Sequence, residues 1–260
     1  MITSFKGGVG KSTVAVNLCV GLAVKKNKTL IIDLDASSGS VDLFMGCEGD
    51  AIYNFFDVLE ERVDIEKAVY TKKGSDSRID ILKSPGSYDL ADLEGMEEKI
   101  ARFTEEAEKI YDFIIFDCPS GKFEIFEHIA KSSDLIFVVT LHSAASVRSA
   151  EKLALYLAEQ GIKSENVRLI INCFNAKGVT RGLHMGIIDI IERSKIKLIG
   201  LIESNGLMRD YQELGRTCYD AKDKKTKFYF EDIIGRVLDE NIILKRKYKG
   251  IRRTDLYFKK

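Results

Sequence analysis

The sequence is poor in proline and in long apolar runs, and each shortage excludes a class of protein. The 260 residues contain only two prolines, Pro85 and Pro119, so no proline-rich linker divides the chain. No apolar run approaches the roughly 20 residues that span a bilayer, and the N-terminus lacks the pattern of a signal peptide. We therefore expect a cytoplasmic protein without a membrane-spanning helix.

Cysteine and histidine are also scarce, and they are not arranged for cross-linking or for zinc. The chain has only three histidines, and its five cysteines are an odd number with no CxxC pair; they are Cys19, Cys47, Cys118, Cys173 and Cys218. Structural zinc sites need cysteine and histidine at short, paired spacings. The sequence therefore disfavours both a disulfide framework and a structural zinc site.

Charge is balanced over the whole chain but unevenly distributed along it. The 40 basic residues equal the 40 acidic ones, yet residues 241–260 contain eight basic side chains and one acidic side chain. Residues 1–240 therefore carry 32 basic and 39 acidic side chains. This distribution disfavours a globally basic nucleic-acid binder. It also predicts a folded domain over 1–240 followed by a basic C-terminal tail over 241–260.

Short β-rich runs alternate with longer amphipathic stretches, which is typical of an α/β protein. Most strand candidates are continuous apolar runs, as expected for strands covered on both faces of a parallel sheet. The expected strands are Ile2–Phe5, Thr29–Asp33, Ile79–Lys83, Phe113–Asp117, Leu135–Thr140, Val167–Asn172 and Lys197–Ile202. The expected helices are Ser12–Lys25, Met96–Ile110, Ala145–Gln160 and Leu183–Ser194, with a further helical stripe from Phe230 to Leu238. This alternation predicts a single doubly wound, mostly parallel sheet that binds ligands at the carboxyl ends of its strands.

A glycine-rich loop lies between the first predicted strand and the first predicted helix. Its sequence is Lys6-Gly7-Gly8-Val9-Gly10-Lys11-Ser12-Thr13, hereafter the phosphate loop. Glycines let successive backbone N–H groups converge on phosphate oxygens, and the helix N-terminus adds a positive dipole end. Lys11 is placed to neutralise the β- and γ-phosphates, and the Ser12 hydroxyl to ligate Mg²⁺. The loop predicts a site for ATP and Mg²⁺.

Polar residues lie at the carboxyl ends of three of the other predicted strands. Asp33 and Asp35 end one strand, Asp117 ends another and Asn172 a third. The carboxyl ends of parallel strands meet at the ligand-binding edge of a sheet, so we expect these side chains near the phosphate loop. A single Asp or Asn at a strand end is also common for purely structural reasons, and Asn175 competes with Asn172 for any role.

The segment KGGVGKS resembles the deviant Walker loop of the MinD/ParA superfamily of ATPases. Two implications follow from that resemblance. Lys6 reaches across a two-fold interface to the ATP of the partner subunit, and the active unit is an ATP-sandwiched homodimer. Only five residues precede Lys6, fewer than is usual in the superfamily, so either the first strand is short or the protein begins upstream of Met1.

The same resemblance assigns roles to the strand-end residues. Asp33 supports the Mg²⁺ shell through water, and Asp35 orients the attacking water. The run Phe113-Ile114-Ile115-Phe116-Asp117 and the following Cys118-Pro119-Ser120-Gly121 resemble the Walker B and switch II segments. They imply that Asp117 lies on the Mg²⁺ shell and Gly121 near the γ-phosphate. Asn172 corresponds to a residue that hydrogen-bonds adenine, with Asn175 as the alternative.

Further segments resemble the MinD branch of the superfamily, over most of the chain. They include Val41–Glu48, Tyr53–Leu59 and Ile65–Val69. In two places the chain departs from this branch: Glu203 stands where the family has a proline, and the C-terminal tail is not the usual membrane-targeting sequence. FlhG-like flagellar regulators and ParA-type partition ATPases share the same ATP machinery.

Five functions compete on these observations. The first is a Mg²⁺-ATP-dependent dimerising switch that controls position on a membrane or on an unidentified activating or effector protein. The second is a partition ATPase that acts on DNA, which the acidic body disfavours. An iron–sulfur ATPase is disfavoured because only Cys118 lies near the site. A tyrosine kinase is suggested by Tyr219, Tyr229, Tyr248 and Tyr257, which are more simply packing residues. A scaffold that binds ATP without turnover is disfavoured by Asp35.

The C-terminal tail has the composition of a segment that binds an anionic membrane. In a helix its apolar stripe is Leu244, Tyr248, Ile251 and Phe258, with basic side chains around the rest. This is the layout of an interfacial amphipathic helix, although Gly250 and Asp255 interrupt it. A solvated tail and a partner-binding helix are the alternatives.

Overall fold

The computed structural model describes residues 1–35, 39–47, 52–75, 77–83 and 95–238, which contain one sheet of eight strands in the order β3-β4-β2-β5-β1-β6-β7-β8. Every neighbouring pair is parallel except β3 and β4 at the edge. The strands are β1 (Ile2–Ser4), β2 (Thr29–Asp33), β3 (Tyr70–Thr71), β4 (Ile79–Lys83), β5 (Phe113–Ser120), β6 (Ile136–Thr140), β7 (Val167–Phe174) and β8 (Lys197–Glu203). The predicted doubly wound, mostly parallel sheet is confirmed.

Eleven helices in the described residues connect and cover these strands. They are α1 (Lys11–Val24), α2 (Ser40–Met45), α3 (Phe55–Leu59), α4 (Ile65–Ala68), α5 (Met96–Glu108), α6 (Phe126–Lys131), α7 (Ala144–Glu159), α8 (Ala176–Thr180), α9 (Ile187–Ser194), α10 (Leu207–Glu213) and α11 (Lys224–Val237). Within the described ranges, no helix is long and apolar enough to cross a membrane.

The core has two parts, one on each face of the sheet. Side chains alternate along a strand, so Leu30 and Ile32 of β2 enter one cluster and Ile31 enters the other. The Ile31 face is covered by α1 and α11, whose buried side chains share its cluster, and the opposite face by α5, α7 and α9. Apolar residues on both faces explain why the strands are continuous apolar runs.

Some element boundaries differ from the sequence-based expectation for local reasons. β1 ends at Ser4 rather than Phe5, because the Ser4 hydroxyl accepts the Lys6 N–H (3.1 Å) and turns the chain into the phosphate loop. α9 begins at Ile187 rather than Leu183, since its N-cap residue Gly186 is extended. The expected tail at 241–260 lies outside the described residues, so the division into domain and tail stays a prediction.

Candidate nucleotide-binding site

The phosphate loop joins β1 to the N-terminus of α1 with two glycines in the left-handed region. Gly8 has φ +71° and Gly10 has φ +89°, values that residues with a side chain rarely adopt. Gly10 is the N-cap residue of α1, and no side chain caps this helix. The N–H groups of the first turn are therefore presented to an anion at the positive end of the helix dipole.

Lys11 lies inside this site and contacts the segment that follows Asp117. Its side chain is buried, and its Nζ donates to Ser120 Oγ at 2.6 Å. Ser120 is the last residue of β5, and the next residue, Gly121, has φ +89° and donates its N–H to the Ser4 carbonyl. The predicted switch II segment is therefore held directly beside the phosphate loop.

Two buried carboxylates lie side by side next to the loop. Asp33 of β2 and Asp117 of β5 are paired in register. Asp117 is fully buried, and neither of its carboxylate oxygens accepts a hydrogen bond of regular geometry. Burial raises the pKa of Asp117 to about 8, against the opposing effects of the nearby Ser12 hydroxyl and Lys11 ammonium. The Ser12 hydroxyl and the Lys11 ammonium therefore only partly offset the hydration that a charged Asp117 loses on burial.

Asp33 is better supplied with hydrogen bonds than Asp117. It accepts the N–H of Asp35 at 3.0 Å and the N–H of Val41 at 3.2 Å, the latter from α2. Burial nevertheless raises the pKa of Asp33 to about 6, with the two backbone donors opposing the shift. Asp35 follows directly, and its negative charge contributes to the raised pKa of both neighbouring carboxylates.

Asn172 reaches the phosphate loop from the opposite side. Its Nδ2 donates to the Val9 carbonyl at 2.8 Å, and its Oδ1 accepts the N–H of Cys173 at 2.9 Å. Asn175 instead caps α8 by accepting the Gly178 N–H at 3.0 Å. Both amides therefore have structural roles here, and contact of either with adenine stays a prediction.

Lys6 is half-buried at the start of the phosphate loop, and the residue before it belongs to an aromatic cluster. The Phe5 ring lies 6.3 Å from that of Phe126 and 5.9 Å from that of Tyr156. Lys122, directly after Gly121, places its Nζ 3.4 Å from the centre of the Tyr156 ring. This cluster connects the loop to α6, α7 and the segment after β5, and no local sequence pattern indicated it.

A second set of unpredicted contacts comes from α10 and the residues after it. Gln212 Nε2 donates to Thr13 Oγ1 at 2.7 Å. Asn17 of α1 donates to the Thr13 carbonyl and accepts the N–H of Cys218. The side chains that surround the phosphate loop thus come from elements spread over the chain, namely β2, β5, β7, α1, α6, α7 and α10.

The strand, glycine-rich loop, buried lysine and paired carboxylates together define a P-loop nucleotide-binding protein. A family model described as an AAA domain matches residues 1–171. The septum site-determining protein MinD of Bacillus subtilis is 27% identical over 254 residues, which are 96% of this chain and 94% of that protein. MinD of Buchnera aphidicola subsp. Schizaphis graminum is 30% identical over 251 residues, covering 93% of this chain and 91% of the relative.

A solved structure shows the same similarity. A chain of the MinC:MinD cell division protein complex of Aquifex aeolicus superposes with a TM-score of 0.83 at 29% identity, covering 94% of this chain and 97% of that one. The chain therefore belongs to the MinD/ParA superfamily of P-loop ATPases, and its resemblance to the MinD branch is confirmed.

Proposed function

We propose that this protein binds and hydrolyses Mg²⁺-ATP at the edge formed by the phosphate loop, β2 and β5. The observation that carries the proposal is the Asp117 carboxylate, which is fully buried beside Ser12 and Lys11 and has no regular hydrogen-bond donor. A buried carboxylate of this kind is costly unless a cation or a proton compensates its charge. A nucleotide-bound cation beside Ser12 would supply that compensation.

The residues around Asp117 fit magnesium in their chemistry. Mg²⁺ prefers hard oxygen ligands and keeps several waters, and the site offers the Ser12 hydroxyl with the Asp33 and Asp117 carboxylates. We assign Ser12 as a direct ligand and the two carboxylates as groups that hold its water shell. When bound, the ion would help to neutralise the negative charge of the nucleotide's phosphates. Gly7, Gly8, Val9, Gly10, Lys11 and Thr13 would cradle the phosphates.

We assign hydrolysis to Asp35 and dimerisation to Lys6, both of which are half-buried. Asp35 lies just after the carboxyl end of β2, where it can orient the water that attacks the γ-phosphate. Gly121 lies just after the carboxyl end of the neighbouring strand β5. Lys6 begins the phosphate loop, from which it can reach the nucleotide of a second copy. Together they support an ATP-bound homodimer that hydrolysis returns to monomers.

The biological role follows from the relatives and from the tail. Relatives named septum site-determining proteins cover nearly the whole chain, so we propose a switch that controls spatial positioning. Its ATP-bound dimer would associate with an anionic membrane through the basic tail and with an activating or effector protein. Between these encounters it would be cytoplasmic. ParA-like action on DNA and FlhG-like regulation of flagellar number are the alternatives.

ATPase assays with different surfaces separate these roles. The full-length protein is assayed alone, with phosphatidylserine-containing vesicles, with neutral vesicles and with duplex DNA. We expect stimulation by anionic vesicles only. Stimulation by DNA alone would replace the membrane role with the partition role, and absence of turnover under every condition would contradict the ATPase proposal.

Vesicle co-sedimentation tests the tail directly. The full chain and a chain ending at Glu240 are compared with ATP or ADP on both lipid mixtures. Each basic side chain near an anionic surface contributes about 1 kcal/mol, so two tails on one dimer should bind more firmly than one. Equal sedimentation of the two chains would end the tail proposal.

A further inference from the structure

A side chain from a distant helix forms a hydrogen bond with the phosphate loop, and the sequence motif of the loop does not predict this contact. Gln212 of α10 donates from Nε2 to Thr13 Oγ1 at 2.7 Å, from a position 199 residues further along the chain. We infer that Gln212 is a positioning residue that holds the Thr13 hydroxyl as a hydrogen-bond donor toward the phosphate chain of the nucleotide. The inference rests on the proposed function, because it places a nucleotide in the same site.

The hydrogen bond from Gln212 determines how the Thr13 hydroxyl can interact with a second partner. A threonine hydroxyl has one proton to donate and two lone pairs that accept. The Gln212 amide occupies one lone pair as a donor, which leaves the hydroxyl proton for another acceptor. Phosphate oxygens accept and do not donate, so a hydroxyl in this state is prepared for them. A group that accepted the Thr13 proton would have the opposite effect.

Two anchors hold α10 where this contact requires it. The Asn17 side chain, on the next turn of α1, donates to the Thr13 carbonyl and accepts the N–H of Cys218. Gly215, directly after the α10 C-cap, touches Gly46 so closely that a Cβ atom on Gly215 would lie 2.6 Å from the Gly46 Cα. These two contacts therefore fix the position of Gln212 relative to Thr13.

The same helix contributes little to the core, which makes the contact testable by substitution. None of the α10 residues is buried, and Gln212 and Thr13 are both half-buried. Replacing Gln212 should therefore alter the hydrogen bond without removing core packing. A merely structural contact would change thermal stability and leave nucleotide affinity unaltered.

The test is a double-mutant cycle in the full-length protein, measured as Mg²⁺-ADP affinity by calorimetry and as KM and kcat for ATP. Gln212→Met keeps the shape but removes the donor, and should weaken affinity and raise KM by about 3- to 10-fold. In Gln212→Glu the carboxylate accepts the Thr13 proton, so nucleotide affinity should fall by about 10-fold or more. The kcat should stay within about 2-fold, because the contact serves binding in the ground and transition states alike.

Thr13→Val and a matched charge variant complete the cycle. In the Thr13→Val background, Gln212→Met should change affinity by less than about 2-fold, because the hydroxyl is gone. Leu214→Glu adds the same negative charge at the exposed end of α10 and should bind nucleotide like wild type. If Gln212→Met lowers nucleotide affinity equally in the wild-type and Thr13→Val backgrounds, while wild type binds nucleotide normally, this inference is overturned and the proposed function is not. A wild-type protein that binds no nucleotide would overturn the proposed function as well.

Discussion

Asp33 and Asp117 are register partners on the adjacent parallel strands β2 and β5, so two buried carboxylates share one end of the sheet. Burial raises the pKa of Asp33 to about 6 and that of Asp117 to about 8, and the negative charge of Asp33 raises the pKa of Asp117 further. Asp33 has two backbone donors and Asp117 has none of regular geometry. This end of the sheet therefore favours a proton or a cation beside Asp117.

The first prediction concerns the pH dependence of stability. A carboxyl whose pKa is higher in the folded than in the unfolded chain binds more protons when folded. Its stabilising contribution is full below about pH 4, the unfolded pKa, and is lost as the pH rises through about 8 for Asp117. Without nucleotide, Asp117→Asn should therefore exceed wild type in stability by a margin that widens toward pH 8, by up to about 1 kcal/mol per pH unit.

Thermal unfolding from pH 5 to 8.5 in the presence of EDTA measures this margin. Asp210→Asn, at an exposed position on α10, is the control and should show no such trend. Addition of Mg²⁺-ATP at pH 8 should stabilise wild type more than Asp117→Asn. A margin that stays constant across the pH range would contradict the assignment of a raised pKa to Asp117.

A second prediction compares two glycines of the phosphate loop. Both have positive φ, but a Cβ atom on Gly10 would lie 2.3 Å from Asn172 Nδ2, whereas nothing lies within 4 Å of one on Gly8. Gly8→Ala should lose about 1 kcal/mol of unfolding free energy from backbone strain alone. Gly10→Ala should lose at least about 1 kcal/mol more, because Asn172 must leave the Val9 carbonyl. Denaturant unfolding of wild type and the two variants measures these losses. Equal losses of unfolding free energy in Gly8→Ala and Gly10→Ala would contradict the prediction.

Much of this site could be anticipated from the sequence because its main parts are local. The phosphate loop is eight consecutive residues, and β2 and β4 have the predicted bounds, since apolar runs and flanking polar residues mark their ends. The Gln212 contact with Thr13 and the Asn172 contact with Val9 could not be anticipated, because each joins segments more than 160 residues apart. β3 was missed because two residues at a sheet edge carry no periodic pattern.

The third prediction separates nucleotide binding from hydrolysis. Asp35→Ala should retain Mg²⁺-ATP but lower kcat by about 100-fold, since the attacking water is no longer oriented while the phosphate loop is unchanged. A dimer should then accumulate with ATP, as measured by light scattering after size-exclusion chromatography. Wild-type turnover in this variant would remove Asp35 from the mechanism.

The fourth prediction concerns Lys6. Lys6→Ala should bind ATP like wild type but stay monomeric, because the ammonium that would reach the partner's nucleotide is absent. Lys28→Ala, at the exposed residue before β2, is the matched control and should dimerise normally. If Lys6→Ala forms the dimer as wild type does, the sandwich arrangement is wrong for this protein.

The central claim is that the phosphate loop and the paired carboxylates form a Mg²⁺-ATP site, and calorimetric titration of ATP tests it most directly. Wild type should bind ATP more tightly with Mg²⁺ than with EDTA. Lys11→Ala should lower the affinity by about 10-fold or more, because the phosphates then face only backbone dipoles, whereas Lys152→Ala on the exposed side of α7 should not. Affinity that is independent of both Mg²⁺ and Lys11 would contradict the account.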